Sequence, residues 1–299
     1  MSHNHHDNDF FPSQDKYSEA FGKFTFDLSM EEVTTKVQEC VDKHYKELDT
    51  RDNINLIHSM IDLTSLTSED SEDKIYKLTQ QVNKLDDDHP DITPVASICV
   101  YPNFAQVIKE NLTVEQCHIT CVAGGFPSSQ TFPEIKVAEI ALAIHDGAEE
   151  IDIVLPVGAF LAGDYETVCN QLQEQRQAAK DVILKVILET GALQTPENIV
   201  KASILALFCD ADFIKTSTGK GYPGATPEAI YIMASIVKQY YDQFGLKRGI
   251  KAAGGVRTTE EALKYLCILK EVLGDEWLTP DLFRFGASSL EADTLKHLL

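Results

Sequence analysis

The chain has 299 residues, of which 43% are hydrophobic, and its 26 Lys and Arg against 47 Asp and Glu give a formal net charge of −21. This hydrophobic fraction is enough for a large core and excludes wholesale disorder. The negative charge disfavours nucleic acid or an anionic membrane as a partner, because both must be neutralised by cations. An anionic small molecule needs only a local positive pocket and is not excluded.

The cysteine content and the N-terminus both predict a cytoplasmic protein. The seven cysteines are an odd number and form no CxxC pair, which favours reduced, buried thiols. The N-terminus lacks the basic and then apolar run of a signal peptide, and no apolar stretch reaches the roughly 18 residues of a membrane span. We therefore expect no membrane partner.

The first 50 residues predict a polar tail followed by a helix. Residues 1–16 are polar and rich in histidine, which is typical of a disordered tail. Residues 29–48 carry apolar side chains at helical spacing, with Ser29 placed as the N-cap and Glu32 completing a capping box.

From there onward, short apolar runs alternate with helix signals. The eight candidate strands are Leu56–Leu63, Ala96–Tyr101, His118–Ala123, Ile151–Leu155, Val182–Leu188, Phe213–Ser217, Gly249–Ala253 and Leu282–Gly286. Thr195, Thr226 and Thr258 are predicted N-caps of helices between them. Another helix is expected from Pro133 to a stop at Gly147. Its apolar positions, expected on one face, are Ile135, Ala138, Ile140, Ala141 and Ile144.

The alternation of strands and helices predicts a (β/α)₈ barrel, the TIM-barrel fold of the α/β class. Strands that alternate with helices pair in parallel through right-handed crossovers, and eight such units take roughly 250 residues. The alternative is an open doubly wound sheet, but its nucleotide-binding versions lose support because the chain has no GxGxxG after its first strand and no GxxxxGK[ST]. We predict a barrel domain over residues 51–299 and an N-terminal helical extension over residues 1–50.

Four charged residues interrupt consecutive predicted strands. Asp152, Lys185, Lys215 and Lys251 fall on strands four to seven, although barrel strands are covered on both faces and should be apolar. Taken singly, each could be a strand-end residue whose charge reaches solvent, and Lys185 could form a buried ion pair with Asp152 or Glu189. Together they are expected to converge, because neighbouring strands lie roughly 4.8 Å apart and unpaired buried charges cost several kcal/mol.

This combination of residue types predicts Schiff-base chemistry. An ammonium group in an apolar pocket beside a second ammonium has a lowered pKa, through desolvation and through repulsion. The neutral amine attacks carbonyl carbons and forms an imine. The imine makes a proton on the adjacent carbon removable, and Asp152 is the carboxylate available for that transfer.

Glycine-containing turns follow the last three predicted strands. Gly219 follows strand six, Gly254 and Gly255 follow strand seven, and Gly286 with Ser288 and Ser289 follows strand eight. Glycine lets the backbone approach an anion, and barrel enzymes often bind phosphate with the loops after strands seven and eight. The sequence thus predicts a phosphorylated carbonyl substrate.

Seven segments carry a family resemblance. They are IDLT, SICVYP, EIDIVLP, LKVILETG, DFIKTSTGK, KAAGGVRT and RFGASSL. In content, order and spacing they resemble the deoxyribose-phosphate aldolase family, over roughly residues 51–295. The resemblance implies a (β/α)₈ lyase of deoxyribonucleotide catabolism that needs neither metal nor organic cofactor. Such a lyase reversibly cleaves 2-deoxy-D-ribose 5-phosphate to D-glyceraldehyde 3-phosphate and acetaldehyde.

The resemblance also implies a role for each matching residue. Lys215 would form the imine, Lys251 would lower the pKa of Lys215, Asp152 would move protons through a water, and Lys185 would support that relay. The residues implied in binding substrate and phosphate are Asp62, Thr218, Gly219, Lys220, Gly254, Gly255, Gly286, Ser288 and Ser289. A homodimer is common in the family, although no apolar surface stripe is evident in the sequence.

Two departures from the family pattern stand out. Ala252 occupies a position where many members have proline, and residues 1–50 extend beyond the compact bacterial type. In addition, Cys99 lies in a matched segment, either as a thiol near the site or as a buried structural cysteine.

Three other functions are weighed against this one. Transaldolases and ketose-phosphate aldolases also form imines in barrels, and the second lysine, Lys251, distinguishes this chain from them. A metal-dependent aldolase needs clustered ligands, which the histidines of the barrel do not provide by spacing. A non-catalytic barrel that binds a phosphorylated ligand would still bind it after Lys215→Ala.

Overall fold

The structure is a computed structural model and describes residues 13–299. The first twelve residues of the predicted polar tail lie outside that range. The described chain begins with helix α1 (Ser13–Gly22), which was not predicted from the sequence, and continues into α2 (Met30–Leu48) and α3 (Arg51–Ser59).

Eight parallel strands close into a barrel in chain order, which confirms the predicted fold. The strands are β1 Ile61–Thr64, β2 Ser97–Val100, β3 His118–Val122, β4 Glu150–Val154, β5 Ile183–Ile187, β6 Phe213–Lys215, β7 Gly249–Ala253 and β8 Phe283–Ala287. The remaining helices are α4 Glu72–Asp88, α5 Ala105–Asn111, α6 Pro133–Asp146, α7 Val157–Leu161, α8 Tyr165–Ala178, α9 Thr190–Leu193, α10 Pro196–Phe208, α11 Pro227–Phe244, α12 Thr259–Val272 and α13 Leu290–Leu298. Parallel closure brings the carboxyl ends of all eight strands to one rim, where barrel enzymes carry their sites.

The first predicted strand, Leu56–Leu63, is wrong over its first half. Residues Arg51–Ser59 form α3, whose N-cap Thr50 accepts a hydrogen bond from the Asn53 backbone N at 3.3 Å, and the strand begins only at Ile61. The first part of the apolar run belongs to a helix that packs against α12 and α13. The second part belongs to a strand of only four residues. A short apolar run does not distinguish these two cases by periodicity.

The N-terminal helix α2 packs on the outside of the barrel. Its predicted capping box is confirmed, since Ser29 Oγ accepts from the Glu32 backbone N and Glu32 Oε2 accepts from the Ser29 N at 2.8 Å. Val33 and Val37 are buried and belong to the same hydrophobic cluster as the barrel helices α11 and α12, which α2 contacts. The division at residue 50 stays a prediction, but the described helices before it share the core of the barrel.

The N-caps predicted inside the barrel are confirmed. The side chains of Thr195, Thr226 and Thr258 accept hydrogen bonds from backbone N–H groups in the first turns of α10, α11 and α12. These caps satisfy N–H groups that have no partner within their helices.

The prediction that the apolar residues of α6 share one face is wrong. Ile140 and Ala143 are buried on the inner face, whereas Ile135 is 54% exposed and Leu142 is 64% exposed on the outer face. Lys136 is 1% exposed, so this helix buries a lysine and presents apolar side chains outward. Within residues 13–299, no helix combines the length and the hydropathy needed to cross a membrane.

Substitution of Val33 by aspartate tests whether α2 stabilises the barrel. Val33→Asp places an unpaired charge at a fully buried position and is expected to lower the free energy of unfolding of the whole domain by about 3 kcal/mol. Urea unfolding followed by fluorescence and circular dichroism measures this change. Thr35→Asp adds the same charge at an exposed position of α2 and serves as the control. An equal effect of the two substitutions would show that α2 does not contribute to the core.

Candidate active site

The four charged residues predicted from the strands meet inside the barrel. Asp152 on β4 faces Lys185 on β5 in register, and Lys215 on β6 faces Lys251 on β7. Asp152 Oδ2 lies 2.6 Å from Lys215 Nζ and 2.8 Å from Lys251 Nζ, while Oδ1 lies 3.0 Å from Lys185 Nζ. None of the four side chains is more than 4% exposed, so their charges are neutralised by one another and not by bulk water.

Two more carboxylates and an arginine complete this network. Asp62 Oδ2 lies 2.5 Å from Lys251 Nζ, and Glu150 Oε2 lies 2.5 Å from Lys185 Nζ. Arg284 on β8 bridges the two carboxylates, with contacts of 2.7 Å to Asp62 and 2.9 Å to Glu150. The structure thus contains the ion pair between Lys185 and Asp152 that the sequence suggested. Glu150 lies nearer to Lys185 than Asp152 does, but it was not predicted as a partner.

Glu150 and Arg284 were not predicted as site residues, although a signal was present for each. Arg284 is a charge inside the eighth predicted strand, where the rule applied to strands four to seven would have found it. Glu150 lies one residue before the start predicted for strand four, and its side chain shares a face with Asp152.

The charges of the network leave one cation in excess. Four basic side chains meet three carboxylates, and all seven are 4% exposed or less. Of the three lysines, Lys215 has the least carboxylate charge beside it, because its one partner, Asp152, also bonds Lys185 and Lys251. An excess buried charge is unfavourable, so the arrangement favours loss of a proton from Lys215.

The pKa directions follow from these contacts. Burial lowers the pKa of Lys215, and the nearby ammonium of Lys251 lowers it further against the opposing effect of Asp152. Burial alone would raise the pKa of Asp152, but the three lysines hold it well below its usual range. For Lys251, burial is outweighed by Asp152 and Asp62, which raise its pKa and keep it charged. The site thus combines a lysine inclined to be neutral with a lysine that stays an ammonium.

A cavity of about 750 Å³ opens above the network at the carboxyl ends of the strands. Lys215 is the member of the network that reaches its lining. The other predicted residues that line it are Thr218, Gly219, Lys220, Gly254, Gly255, Gly286, Ser288 and Ser289. Arg257, which was not predicted, lines it as well. The structure therefore brings the predicted phosphate loops and the predicted imine lysine to one cavity.

Asp62 does not reach this cavity. It is fully buried below the floor, where it holds Lys251 and Arg284, so the structure does not place it against a substrate hydroxyl or phosphate. Its position at the base of β1, paired with Gly286 in register, turns its side chain into the barrel interior. The structure thus places Asp62 beneath the cavity, and its role in binding substrate stays a prediction.

Glycine is required at two turns of the cavity wall. Gly254 has φ +85°, a left-handed conformation that side chains rarely adopt. A Cβ on Gly286 would lie 2.8 Å from Ala253 Cβ and 3.0 Å from Lys251 Cε, so a side chain there would push against the network lysine. These glycines keep the wall open and leave room for Lys251.

Glu189 fixes the loop that carries Thr218. Its side chain is 3% exposed, its backbone has φ +59°, and its two oxygens accept from Thr218 Oγ1 at 2.6 Å and from Thr218 N at 3.2 Å. Thr218 Oγ1 donates its one proton to Glu189 and accepts from the Lys220 backbone N at 3.1 Å. Thr218 can then only accept a further hydrogen bond from a ligand.

Cys99 lies inside the barrel as a fully buried thiol. It packs with Leu66 and Val122, and burial raises the pKa of its thiol. The thiol is buried and also lies beside Lys215 and Lys251, so its position fits both alternatives open from the sequence.

The chain is similar to known proteins over most of its length. The family model of the DeoC/LacD family aldolases matches residues 56–272. A deoxyribose-phosphate aldolase of Mus musculus is 40% identical over 251 residues, covering 80% of this chain and 79% of the mouse protein. A Caenorhabditis elegans protein is 39% identical over 294 residues, covering 95% of this chain and 96% of its own length. A crystal structure from Coccidioides immitis superposes with a TM-score of 0.70 at 27% identity, over 91% of this chain and 99% of the other.

Removal of Lys185 tests the ion-pair network. Lys185→Met deprives Glu150 of its nearest ammonium and is expected to cost about 3–5 kcal/mol of unfolding free energy at pH 7.5. In the native protein the pKa of Glu150 is lowered, because Lys185 and Arg284 outweigh its burial, so its ionised form stabilises the fold above the unfolded pKa. Without Lys185, burial favours the protonated form of Glu150, and that form becomes easier to populate as the pH falls towards the unfolded pKa, so the cost of the substitution should shrink between pH 7.5 and pH 4.5.

Urea unfolding at pH 7.5 and at pH 4.5 measures this dependence. Lys180→Met removes an exposed lysine just before β5 and is expected to change stability by less than about 0.5 kcal/mol. A cost for Lys185→Met that is the same at both pH values would contradict the assignment of an ionised pair.

Proposed function

The chain belongs to the DeoC/LacD aldolase family, and we propose that it cleaves 2-deoxy-D-ribose 5-phosphate reversibly to D-glyceraldehyde 3-phosphate and acetaldehyde. It is an aldolase and therefore a lyase. The observation that carries the choice of substrate is the single cavity in which Lys215 meets glycine-rich loops suited to a phosphate. The names of the mammalian relatives point to the same sugar phosphate.

Lys215 is the proposed nucleophile. Its neutral Nζ attacks the C1 aldehyde of the open-chain sugar, and loss of water leaves a protonated imine. The imine accepts the electron pair of the C2–C3 bond as that bond breaks, while the C3 hydroxyl loses its proton and becomes the aldehyde of D-glyceraldehyde 3-phosphate. The resulting enamine takes up a proton at C2, and water then hydrolyses the imine to release acetaldehyde and the free lysine.

Asp152 and Lys251 support this sequence from below. Asp152, held in its ionised form by three lysines, is the proposed proton shuttle through a water at the cavity floor. Lys251 stays charged and keeps the pKa of Lys215 low. Lys185 holds Asp152 Oδ1 at 3.0 Å and so fixes the orientation of the carboxylate.

The phosphate would lie against the loops after β7 and β8. Gly254 and Gly255 line the cavity there with φ +85° and +88°, a conformation that lets the backbone approach an anion, and Ser288 and Ser289 precede α13 at its N-terminal end. Lys220 and Arg257 add positive charge to the cavity wall. This placement puts the C1 end of the sugar towards Lys215.

A role in deoxyribonucleotide catabolism in the cytoplasm fits this reaction. The supporting observation is that all seven cysteines are free thiols, as is usual in a reducing compartment.

The outer face of α6 is the proposed contact between two copies of the chain. The exposed apolar residues there are Phe132, just before the helix, and Ile135, Ala138, Ala141 and Leu142. Two chains that each carry a net charge of −21 repel one another, and burial of these apolar side chains is the favourable contribution that would offset the repulsion. Because a two-fold interface joins the same patch on both subunits, an apolar face is complementary to itself.

Trapping of the imine tests the proposed mechanism. Treatment with acetaldehyde and borohydride should attach a C2 unit to Lys215, detected by intact mass and peptide mapping, because only a lysine that forms an imine is reduced to a stable adduct. Lys215→Arg should abolish both the adduct and turnover, since guanidinium does not lose its proton. Lys220→Arg alters another cavity lysine and should leave the adduct in place. Absence of the adduct from the native protein would refute the imine route.

Disruption of the α6 face tests the dimer. Leu142→Glu places a charge at the centre of the face and should shift the protein from dimer to monomer in sedimentation or light scattering. Leu246→Glu, at a 49% exposed leucine after α11, is the control and should leave the dimer intact. A native protein that is monomeric at micromolar concentration would contradict the assignment.

A further inference from the structure

Three members of the buried network, Asp62, Glu150 and Arg284, have no part in the mechanism described above, and two of them form a closed pair. Arg284 and Glu150 bond each other through both guanidinium nitrogens, with distances of 2.9 Å from Nη2 to Oε1 and 3.1 Å from Nη1 to Oε2. Both side chains are 4% exposed or less, and neither lines the cavity. A buried, fully paired arginine and glutamate that no substrate can touch call for a different explanation.

We infer that Arg284 and Glu150 are positioning residues that fix the net charge of the buried network and thereby make Lys215 the lysine that loses its proton. This inference rests on the proposed function, in which Lys215 must be neutral to attack an aldehyde. The ion pair beneath the site would thus determine at which pH Lys215 becomes the nucleophile.

Arg284 supplies a positive charge that cannot be removed. A guanidinium is not deprotonated in proteins, so it permanently neutralises about one of the three carboxylates, through its contacts with Asp62 at 2.7 Å and with Glu150. The equivalent of two carboxylate charges then remains for three lysines. Lys215 is the lysine whose positive charge is least neutralised, since its one carboxylate, Asp152, also pairs with the two neighbouring lysines.

Glu150 and Asp152 together keep Lys185 charged, and Asp152 still pairs with Lys185 when Glu150 is removed, so Lys215 stays the lysine that loses its proton. The 2.5 Å contact of Glu150 with Lys185, together with Asp152, holds Lys185 in its charged form. The other groups that face Glu150 are Arg284, Asp62, the Thr120 hydroxyl at 3.0 Å and His118 Nδ1 at 3.5 Å. The groups that face Lys215 are Asp152, Lys251, Cys99 and, from the loop above it, Glu189.

Removing Arg284 and removing Glu150 should shift the titration midpoint of Lys215 in opposite directions. Arg284→Met leaves three lysines for three carboxylates, so Lys215 keeps its proton to a pH about one unit higher. Glu150→Gln increases the excess of positive charge and should lower the midpoint by about one unit. The double variant removes one charge of each sign and should return the midpoint to within about 0.3 unit of the native value, as should Arg284→Lys, which keeps the charge.

The titration is measured by a reaction that does not depend on aldolase activity. The folded full-length chain is methylated with formaldehyde and cyanoborohydride at pH 5 to 10, and the rate at Lys215 is read by mass spectrometry relative to the exposed Lys180 in the same sample. The rate follows the neutral fraction of the amine. The pH dependence of sugar-phosphate cleavage is recorded in parallel, and its acid limb should move with the methylation midpoint while the plateau rate changes by less than about threefold.

An unchanged midpoint in Arg284→Met, with activity lowered equally at every pH, would overturn the inference, because a purely structural role predicts that result. If Arg284→Met does not fold, Glu150→Gln decides, and a midpoint that stays or rises in that variant would overturn the inference as well. Failure of the proposed function has a different signature. The native protein would then not cleave the sugar phosphate, although the methylation midpoints of the variants move as stated.

Discussion

One carboxylate, that of Asp152, organises the interior of the barrel. Its two oxygens lie within 3.0 Å of three lysine nitrogens that come from three successive strands. Without that carboxylate the three ammonium groups would repel one another in a space from which water is excluded. With it they converge, and their competition for a single anion leaves Lys215 as the lysine with the least support for its charge.

The barrel makes this arrangement possible because it separates the charges from the ligand. The charged network occupies the interior between strands, and Lys215 alone extends from it to the cavity, whose walls come from α4 and from the loops after β1, β6, β7 and β8. The overall charge of −21 therefore says little about the ligand. Within the cavity, Lys215, Lys220 and Arg257 bring positive charge beside turns in which Gly219, Gly254 and Gly255 have positive φ. An acidic protein can in this way hold an anionic sugar.

The sequence is most informative where a charge interrupts an apolar strand, and Arg284 in β8 carries the same signal, although it was not used there. A lysine or aspartate inside an apolar strand must find a partner of opposite charge nearby. The meeting of Asp152 with Lys185, Lys215 and Lys251 could therefore be predicted from strand spacing alone. How deep a side chain lies in the barrel is harder to predict from the sequence. Whether Asp62 lies in the cavity or beneath it depends on the stagger between neighbouring strands, which cannot be read from the sequence of one strand. The inner and outer faces of α6 were confused because the helix buries Lys136 and exposes Leu142, which reverses the usual pattern.

The most direct test of this charge distribution is a titration of the lysine side chains by NMR with lysine-selective isotope labelling, Lys215 being assigned by the Lys215→Arg variant. We predict that the pKa of Lys215 is lower than that of an ordinary lysine, while Lys185 and Lys251 remain charged throughout that range. A Lys215 that titrates together with the exposed lysines would contradict it. The neutral amine on which the whole proposed mechanism depends would then be absent at physiological pH.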